Sequence, residues 1–563
     1  MSRLFNTIQV KFKKRNKFDL SHESRLTTDF GRLTPILCEP VLPNDRFQIS
    51  TNVRVQFAPM KFPVMQRFHC YIHYFFVPNR LLWDKWEEFI TGGEDGLSEP
   101  DYPTLRIDAV QFPDPEQAKH FIGDRSLADY LGFPTLKTDN IGAYRQVQFD
   151  ALPFKAYQLV YNEWYRDQNL TDPIELHTEH SGPMIDYDDD GATQFALMEL
   201  RQRAWRKDYF TSALKDSQRG PDVTLPLVGD MEIVGNGQIP VNVTGMQDPD
   251  DPNTSYALIA KEVNLPGGSA RAALMPSEDT GSVSPAILTG NVSANIAASH
   301  LSNSAHNIRS ATINEVRRAF AIQRWYELAA RAGSRYIEQI FAHFGIRSSD
   351  ARLQRPEYLG GSVVPVFIGD VLQTSETGDT PLGTPAGVGQ AAGRMKRVRR
   401  TFEEHGWILG IMSIIPDASY FQGMPRKFLK RDKFDFAWPL LANLGEQEIE
   451  KQELYFDPTA APELRKSGFG YTPRYAEYKY AAGQVHGDFR GNLKDFHDAR
   501  IFDTLPRLNT EFMEVRTPRQ DADTNTGLNR IFSVTSGMVD HLWVYLYNDV
   551  RVRRVLPKYG TPI

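Results

Sequence analysis

Apolar and polar residues alternate along several short stretches of the chain, with the period of a strand and not of a helix. Val53, Val55 and Phe57 are separated by single polar residues. Phe68-His69-Cys70-Tyr71-Ile72-His73-Tyr74-Phe75-Phe76-Val77 is a longer run stopped by Pro78. Strand side chains point alternately to two faces, so Phe68, Cys70, Ile72, Tyr74 and Phe76 share one face. Trp407 to Ile415, bounded by Gly406 and Pro416, is the longest apolar run and reads as a buried strand. It falls far short of the roughly 20 residues that span a bilayer. Arg394 to Phe402 and His541 to Tyr547 are two further strands, the latter followed by the basic run Arg551, Arg553 and Arg554.

Helical signals are fewer. A short helix with Trp83 and Trp86 is predicted to end at Gly92-Gly93. Leu152-Pro153-Phe154 opens an aromatic helical stretch through Tyr157, Tyr161, Trp164 and Tyr165, with proline in its first turn. Thr312-Ile313-Asn314-Glu315 is a capping box that starts a helix through about Ala332, closed by Gly333. Apolar residues surround this helix, which predicts that it is largely buried. Glu94 to Ala151 has no clear period, and Gly360-Gly361 and Pro381 to Gly393 read as loop. Several strands far apart in sequence, joined by long connections that carry helices, predict a mainly β sandwich of the jelly-roll kind.

Composition sharpens this picture in one place. Aromatic residues make up 12% of the 563 residues, and 36 Pro and 40 Gly favour strands joined by irregular loops. Yet between Pro221 and Ser310 Tyr256 is the only aromatic residue. Such a stretch buries little apolar surface, and the aromatic pattern resumes after it, so residues 217–311 read as a surface insertion in a single domain.

Charge limits the choice of partners. The net charge is −6, so bulk charge does not make the chain a polyanion binder. Contact with nucleic acid has to be local. Residues 1–20 form a basic arm, in which Lys11, Lys13, Lys14, Arg15 and Lys17 are placed to neutralise phosphates. Phe12 and Phe18 interleave with them and are placed to stack on unpaired bases. A solvated arm is the competing reading. Met1 to Val10 lacks the apolar core of a signal peptide, and Cys38 and Cys70 are the only cysteines, which suits a reducing cytoplasm.

Catalytic and metal chemistry find little support. Asp186, Asp188 and Asp190 match the first half of a calcium loop, but Leu197 stands where the closing bidentate glutamate belongs. His69 and His73 share a strand face but have no clustered third ligand in sequence. Gly387-Val388-Gly389-Gln390-Ala391-Ala392-Gly393 has one residue too many for a dinucleotide fingerprint and reads as a flexible loop. No cofactor and no enzymatic activity are expected.

Longer segments resemble a known family. They are Leu152 to Tyr157 running into Tyr161 to Leu170, Lys207 to Leu214, Ile313 to Gln323, Asp350 to Gly361 and Phe469 to Lys479. With the Phe47 to Phe89 block and the Gly560-Thr561-Pro562 tail, they resemble the major capsid proteins of the Microviridae, of the gokushovirus type. The sequence departs from that pattern at Lys215 to Gly220, where the family continues with Pro- and Trp-containing residues.

The resemblance implies an antiparallel eight-stranded jelly roll with long loops, several helices and a large surface insertion. It implies self-assembly into a T=1 icosahedral virion shell around circular single-stranded DNA, made in the cytoplasm of a bacterial host. The insertion would form a threefold protrusion that meets a host cell-surface receptor. Asn236, Asp248, Asp250, Asp251, Asn253, Tyr256 and Asn291 are its candidate contact residues. The implied partners are a DNA pilot protein, an internal scaffolding protein and a small basic DNA-packaging protein, with no membrane insertion. A β-sandwich carbohydrate-binding or adhesion module is the alternative.

Replacing Lys11, Lys13, Lys14, Arg15 and Lys17 together by Gln is expected to lower the DNA content of particles more than their number. Ultraviolet absorbance ratios of purified particles measure this, and equal ratios in variant and wild type refute it.

Overall fold

The computed structural model describes residues 15–94, 97–107, 120–135, 147–184, 193–221, 223, 233–235, 258–263, 271–276, 301–303, 312–333, 335–347, 349–372, 385–516, 527–534 and 539–558. The chain divides into two compact units, Met1–Gly220 with Tyr326–Ile563, and Pro221–Trp325.

The first unit is built on one antiparallel sheet. Its strands are β1 (Asn16–Asp19), β2 (His22–Thr28), β3 (Thr34–Val41), β4 (Arg46–Phe57) and β5 (Phe68–Pro78). After a long excursion come β6 (Glu357–Leu372), β7 (Pro385–Arg394), β8 (Val398–Thr401), β9 (Gly406–Pro416) and β10 (Leu542–Arg554). The order across the sheet is β1, β10, β4, β7, β6, β5, β9, β3. Two of these eight positions hold broken strands, since β2 continues β1 along β10 and β8 continues β7 along β4. The sheet curls into a half-barrel, the jelly-roll architecture that the strand pattern predicts.

Curling places one core inside the sheet. Phe68, Cys70, Ile72, Tyr74 and Phe76 of β5 all point inward and are buried, as their alternation requires. They meet Val53, Val55 and Phe57 of β4 and Val544, Leu546, Val550 and Val552 of β10. Phe30 stacks on Phe68 at 5.2 Å between centroids and on Phe532 at 5.8 Å, and Phe57 meets Phe68 edge-on at 5.3 Å. Burying each such ring contributes about 1.5–3 kcal/mol.

A second layer covers the outer side of β5 and β9. Helix α1 (Ala151–Val160) starts where Asp150 accepts a hydrogen bond from the Leu152 amide, and it runs into a π-turn over Tyr161–Tyr165. With its neighbours it packs on Phe75, Val77, Leu409 and Ile411. The short helix Trp86–Thr91 ends at Gly92, whose φ of 79° is the left-handed conformation of a glycine cap. Trp83, expected inside that helix, lies before it and is fully buried.

Four ionic side chains lie buried where the end of β2 faces the start of β10. Arg32 donates to Asp540 at 2.8 Å and to Asp29 at 3.1 Å. Asp29 also accepts from the backbone amide of His541 at 3.0 Å and pairs with its Nδ1 at 2.9 Å. Burial pushes the Asp29 carboxyl up, but the His541 hydrogen bond and the Arg32 charge outweigh it and leave it below its ordinary value.

The second unit contains two described strand pairs, Leu258–Val263 with Arg271–Pro276 and Ile233–Gly235 with Leu301–Asn303, both antiparallel. Helix α2 (Ile313–Ala332) begins in this unit and ends in the first. Its capping box forms: the Thr312 amide donates to Glu315 at 2.7 Å and the Glu315 amide to the Thr312 hydroxyl at 3.2 Å.

Three expectations are corrected. Pro385–Arg394 is a paired strand inside the sheet, between β6 and β4, and not a flexible loop. Gly360-Gly361 lies within β6, beside a register shift against β5, and not in a loop. The basic residues Arg551, Arg553 and Arg554 belong to β10 itself. The β7 strand escapes recognition because its inward positions carry no large apolar side chain. Gly389 presses on Phe57, where a Cβ would come within 2.6 Å of the ring, and Gly393 on Val364 at 2.7 Å. The neighbours supply the apolar bulk.

Gly389→Ala is therefore expected to lower stability by about 1–3 kcal/mol through overpacking. Gln390→Ala, on the opposite face, is expected to cost under about 0.5 kcal/mol. Thermal melting of the unassembled variants, followed by circular dichroism, compares them. Equal melting temperatures would refute the packing argument.

Candidate assembly and nucleic-acid interfaces

The described part of the basic arm starts at Arg15. Arg15 bonds to the Asn44 side chain, and β1 then pairs with β10. Lys17 is exposed and lies opposite Arg553. Phe18 turns to the other face and packs against the sheet core, so its ring is a packing group of β1 and not an open stacking platform. Lys11, Phe12, Lys13 and Lys14 lie outside the described residues, as do Asp186, Asp188 and Asp190. The insertion candidates Asn236, Asp248, Asp250, Asp251, Asn253, Tyr256 and Asn291 lie outside them too.

His69 and His73 find separate partners. His69 Nε2 meets Asp417 at 3.3 Å, and His73 Nδ1 meets the Tyr165 hydroxyl at 2.8 Å. Burial, reinforced by the nearby Arg203 charge, pushes His73 down to about 4. Arg203 sits 3.9 Å over the Tyr71 ring that separates the two histidines. Among the described residues no group of three His, Cys, Asp or Glu side chains is arranged to hold a metal ion. Cys70 is a core residue whose thiol burial pushes up to about 12, the state of an inert thiol.

Apolar surface is the more informative feature. Helix α2 is not buried as its composition predicts: Phe320 is 68% exposed and Trp325 53%. The residues of the helix that are buried are the small Ala319 and Ala329, while its large rings stand outside. Helix α3 (Tyr336–Phe344) adds exposed Tyr336, Phe341 and Phe344. The connection from β9 to β10 exposes Phe428, Phe434, Phe436, Trp438, Leu440 and Leu444. That same connection is anchored from within, where Tyr209 donates to Glu453 at 3.0 Å and Tyr420 to Asp208 at 2.8 Å. Firmly held loops with apolar tips are what obligate association buries.

A family model described as "Capsid protein (F protein)" matches residues 6–563. The chain belongs to this phage capsid protein family. It is 31% identical to capsid protein VP1 of Chlamydia phage 1, over 100% of this chain and 98% of that one. It is 34% identical to VP1 of Bdellovibrio phage phiMH2K, over 90% and 88% of the two chains. The VP1 of Spiroplasma virus 4 is 25% identical over 97% and 95%. The chain is thus a phage major capsid protein of the gokushovirus type, and the carbohydrate-binding alternative is not favoured. Membership implies self-assembly into a shell that encloses the genome. The family is structural and is not known to be enzymatic. Among the described residues no helix is long and apolar enough to cross a membrane.

Capsid assembly gives the exposed loop a test. Leu440, 88% exposed, touches no core, so Leu440→Asp is expected to change stability by less than about 0.5 kcal/mol. It is expected to reduce particle yield sharply. Sedimentation separates particles from unassembled chains, and normal yield would remove this loop from the assembly surface.

Proposed function

We propose that this capsid protein forms a small T=1 icosahedral shell, one copy per asymmetric unit, around a circular single-stranded DNA genome. The observation that carries the reading is the family match from residue 6 to residue 563, on a half-barrel whose long connections end in exposed apolar rings. Symmetry makes each such contact recur around every axis, so modest contacts accumulate over the shell.

Residues 217–311 serve as a threefold protrusion that meets a host cell-surface receptor. Their aromatic-poor composition supports a surface role, since it leaves little to bury. A separate small basic packaging protein, together with a DNA pilot protein and an internal scaffolding protein, completes the particle. The mildly acidic net charge of −6 supports a division of labour in which another chain carries most of the cationic charge. Free Cys38 and Cys70 agree with synthesis in the reducing cytoplasm of a bacterial host. Lys11 to Lys17 remain the arm that reaches toward DNA.

Negative-stain microscopy of the purified protein tests the shell: uniform small isometric particles are expected, and monomers that bind glycans would overturn it. Deleting Pro221 to Ser310 is expected to leave the melting of the first unit intact and to abolish host attachment. An insoluble deletion protein would count against the insertion.

A further inference from the structure

One face of the sheet carries a pattern of rings and cations apart from the exposed apolar loops. The outer side of β5 and β9 lies under the α1 layer, whereas the outward rings Trp543 and Tyr545 of β10, with Arg25 and Arg54, line an open hollow that Asp124, Arg125 and Asp129 also border. Along β10 the even residues Leu542, Val544 and Leu546 enter the core, so Trp543, Tyr545 and Tyr547 stand on the outer face. They are 43%, 38% and 37% exposed. Large rings in a row on an open strand face need a reason, because strands normally show polar residues to solvent.

The neighbouring strands answer with cations. Strand register places Arg25, Tyr545 and Arg54 side by side across β2, β10 and β4. Farther along the same face Lys17, Arg553 and Arg46 form a second row across β1, β10 and β4. Arg551, Gln48 and Arg399 form a third across β10, β4 and β8. Acids on these strands are engaged locally: Glu23 pairs with Arg25 at 2.8 Å, Asp19 accepts from the Ser21 amide at 3.1 Å, and Asp549 pairs with Arg397 at 2.6 Å; at the margin of the hollow Asp129 accepts from the Arg125 amide at 2.9 Å, with Asp124 and Glu39 beside it. Among the described residues Arg46, Arg54, Arg399 and Arg553 make no ion pair, so their charge is available to a ligand.

We propose that this face is a platform for single-stranded nucleic acid, on which bases stack on Trp543, Tyr545 and Tyr547 while the arginines of the flanking strands hold phosphates. The inference deepens the proposed enclosure of single-stranded DNA and rests on it. Rings two residues apart on a strand are about 6.8 Å apart. A stretched single strand can place successive unpaired bases at that interval, whereas a duplex stacks its bases every 3.4 Å or so and hides their faces. Stacking on aromatic rings is sequence-tolerant, as packing an entire genome requires. A basic packaging protein would bring like charge to the same arginines, which disfavours it as the occupant. The platform also gives a mildly acidic chain a local cationic site without changing its net charge.

Ultraviolet crosslinking of genome-filled particles, followed by nuclease and protease digestion and mass spectrometry, tests the platform. Nucleotide adducts on the peptide that carries Trp543, Tyr545 and Tyr547 are expected. In solution, anisotropy of a labelled oligothymidylate with the unassembled full chain should show Trp543→Ala losing about fivefold to a hundredfold in affinity. Arg54→Gln and Arg46→Gln should each lower the slope of log affinity against log salt by about 0.7. A duplex of equal length should bind more weakly. Filled particles with adducts only on other segments, or a Trp543→Ala chain that binds like wild type, would overturn the platform and leave the capsid reading standing. Wild-type particles that never contain DNA would overturn both.

Discussion

Everything in the first unit depends on the insertion of β10 between β4 and the broken strand β1/β2. Thirteen residues, Leu542–Arg554, pair on both sides and give their alternate side chains to opposite duties. The inward set closes the core against β4 and β5. The outward set presents rings and cations. The pairing is extremely non-local, since His22 lies opposite Asn548. Its closure is pinned by the buried Asp29, Arg32, Asp540 and His541 cluster, which stands where β2 ends and β10 begins. Buried charges of this kind are tolerable only when all are paired, so the cluster penalises any register in which the two strands fail to meet correctly.

Legibility in the sequence follows from where apolar bulk resides. The β5, β9 and β10 strands announce themselves because their own side chains fill the core. The α2 capping box is legible because Thr312 and Glu315 are local partners that need no tertiary help. The β7 strand is invisible for the opposite reason: Gly389 and Gly393 receive the bulk of Phe57 and Val364 from neighbours, and a period cannot be read from residues that have no side chain. The basic run at Arg551 was visible, but its place within a strand depended on β4 and β1 lying beside it.

Site legibility fails in a related way. The basic residues from Lys11 to Lys17 stand out because they cluster within one short stretch. Arg25, Arg46, Arg54, Arg399 and Arg553 are scattered over the whole chain and become one surface only through strand register. Phe18 shows the converse, a ring that looks available in sequence and is taken up by the core once β1 pairs. Helix α2 misleads for a third reason. Composition predicts burial, yet Phe320 and Trp325 remain more than half exposed among the described residues. In a protein that works as an assembly, apolar residues report eventual burial, which need not occur within one polypeptide.

The position of β10 also sets an order in time. A ribosome makes this strand after every other described strand of the sheet. Until then β4 and β2 each keep an unpaired edge, the kind of edge that recruits wrong partners. A polypeptide released early, before Asp540, lacks the inward side chains that close the core and the Asp540–His541 half of the ionic cluster. It cannot reach the conformation whose loops fit neighbouring subunits.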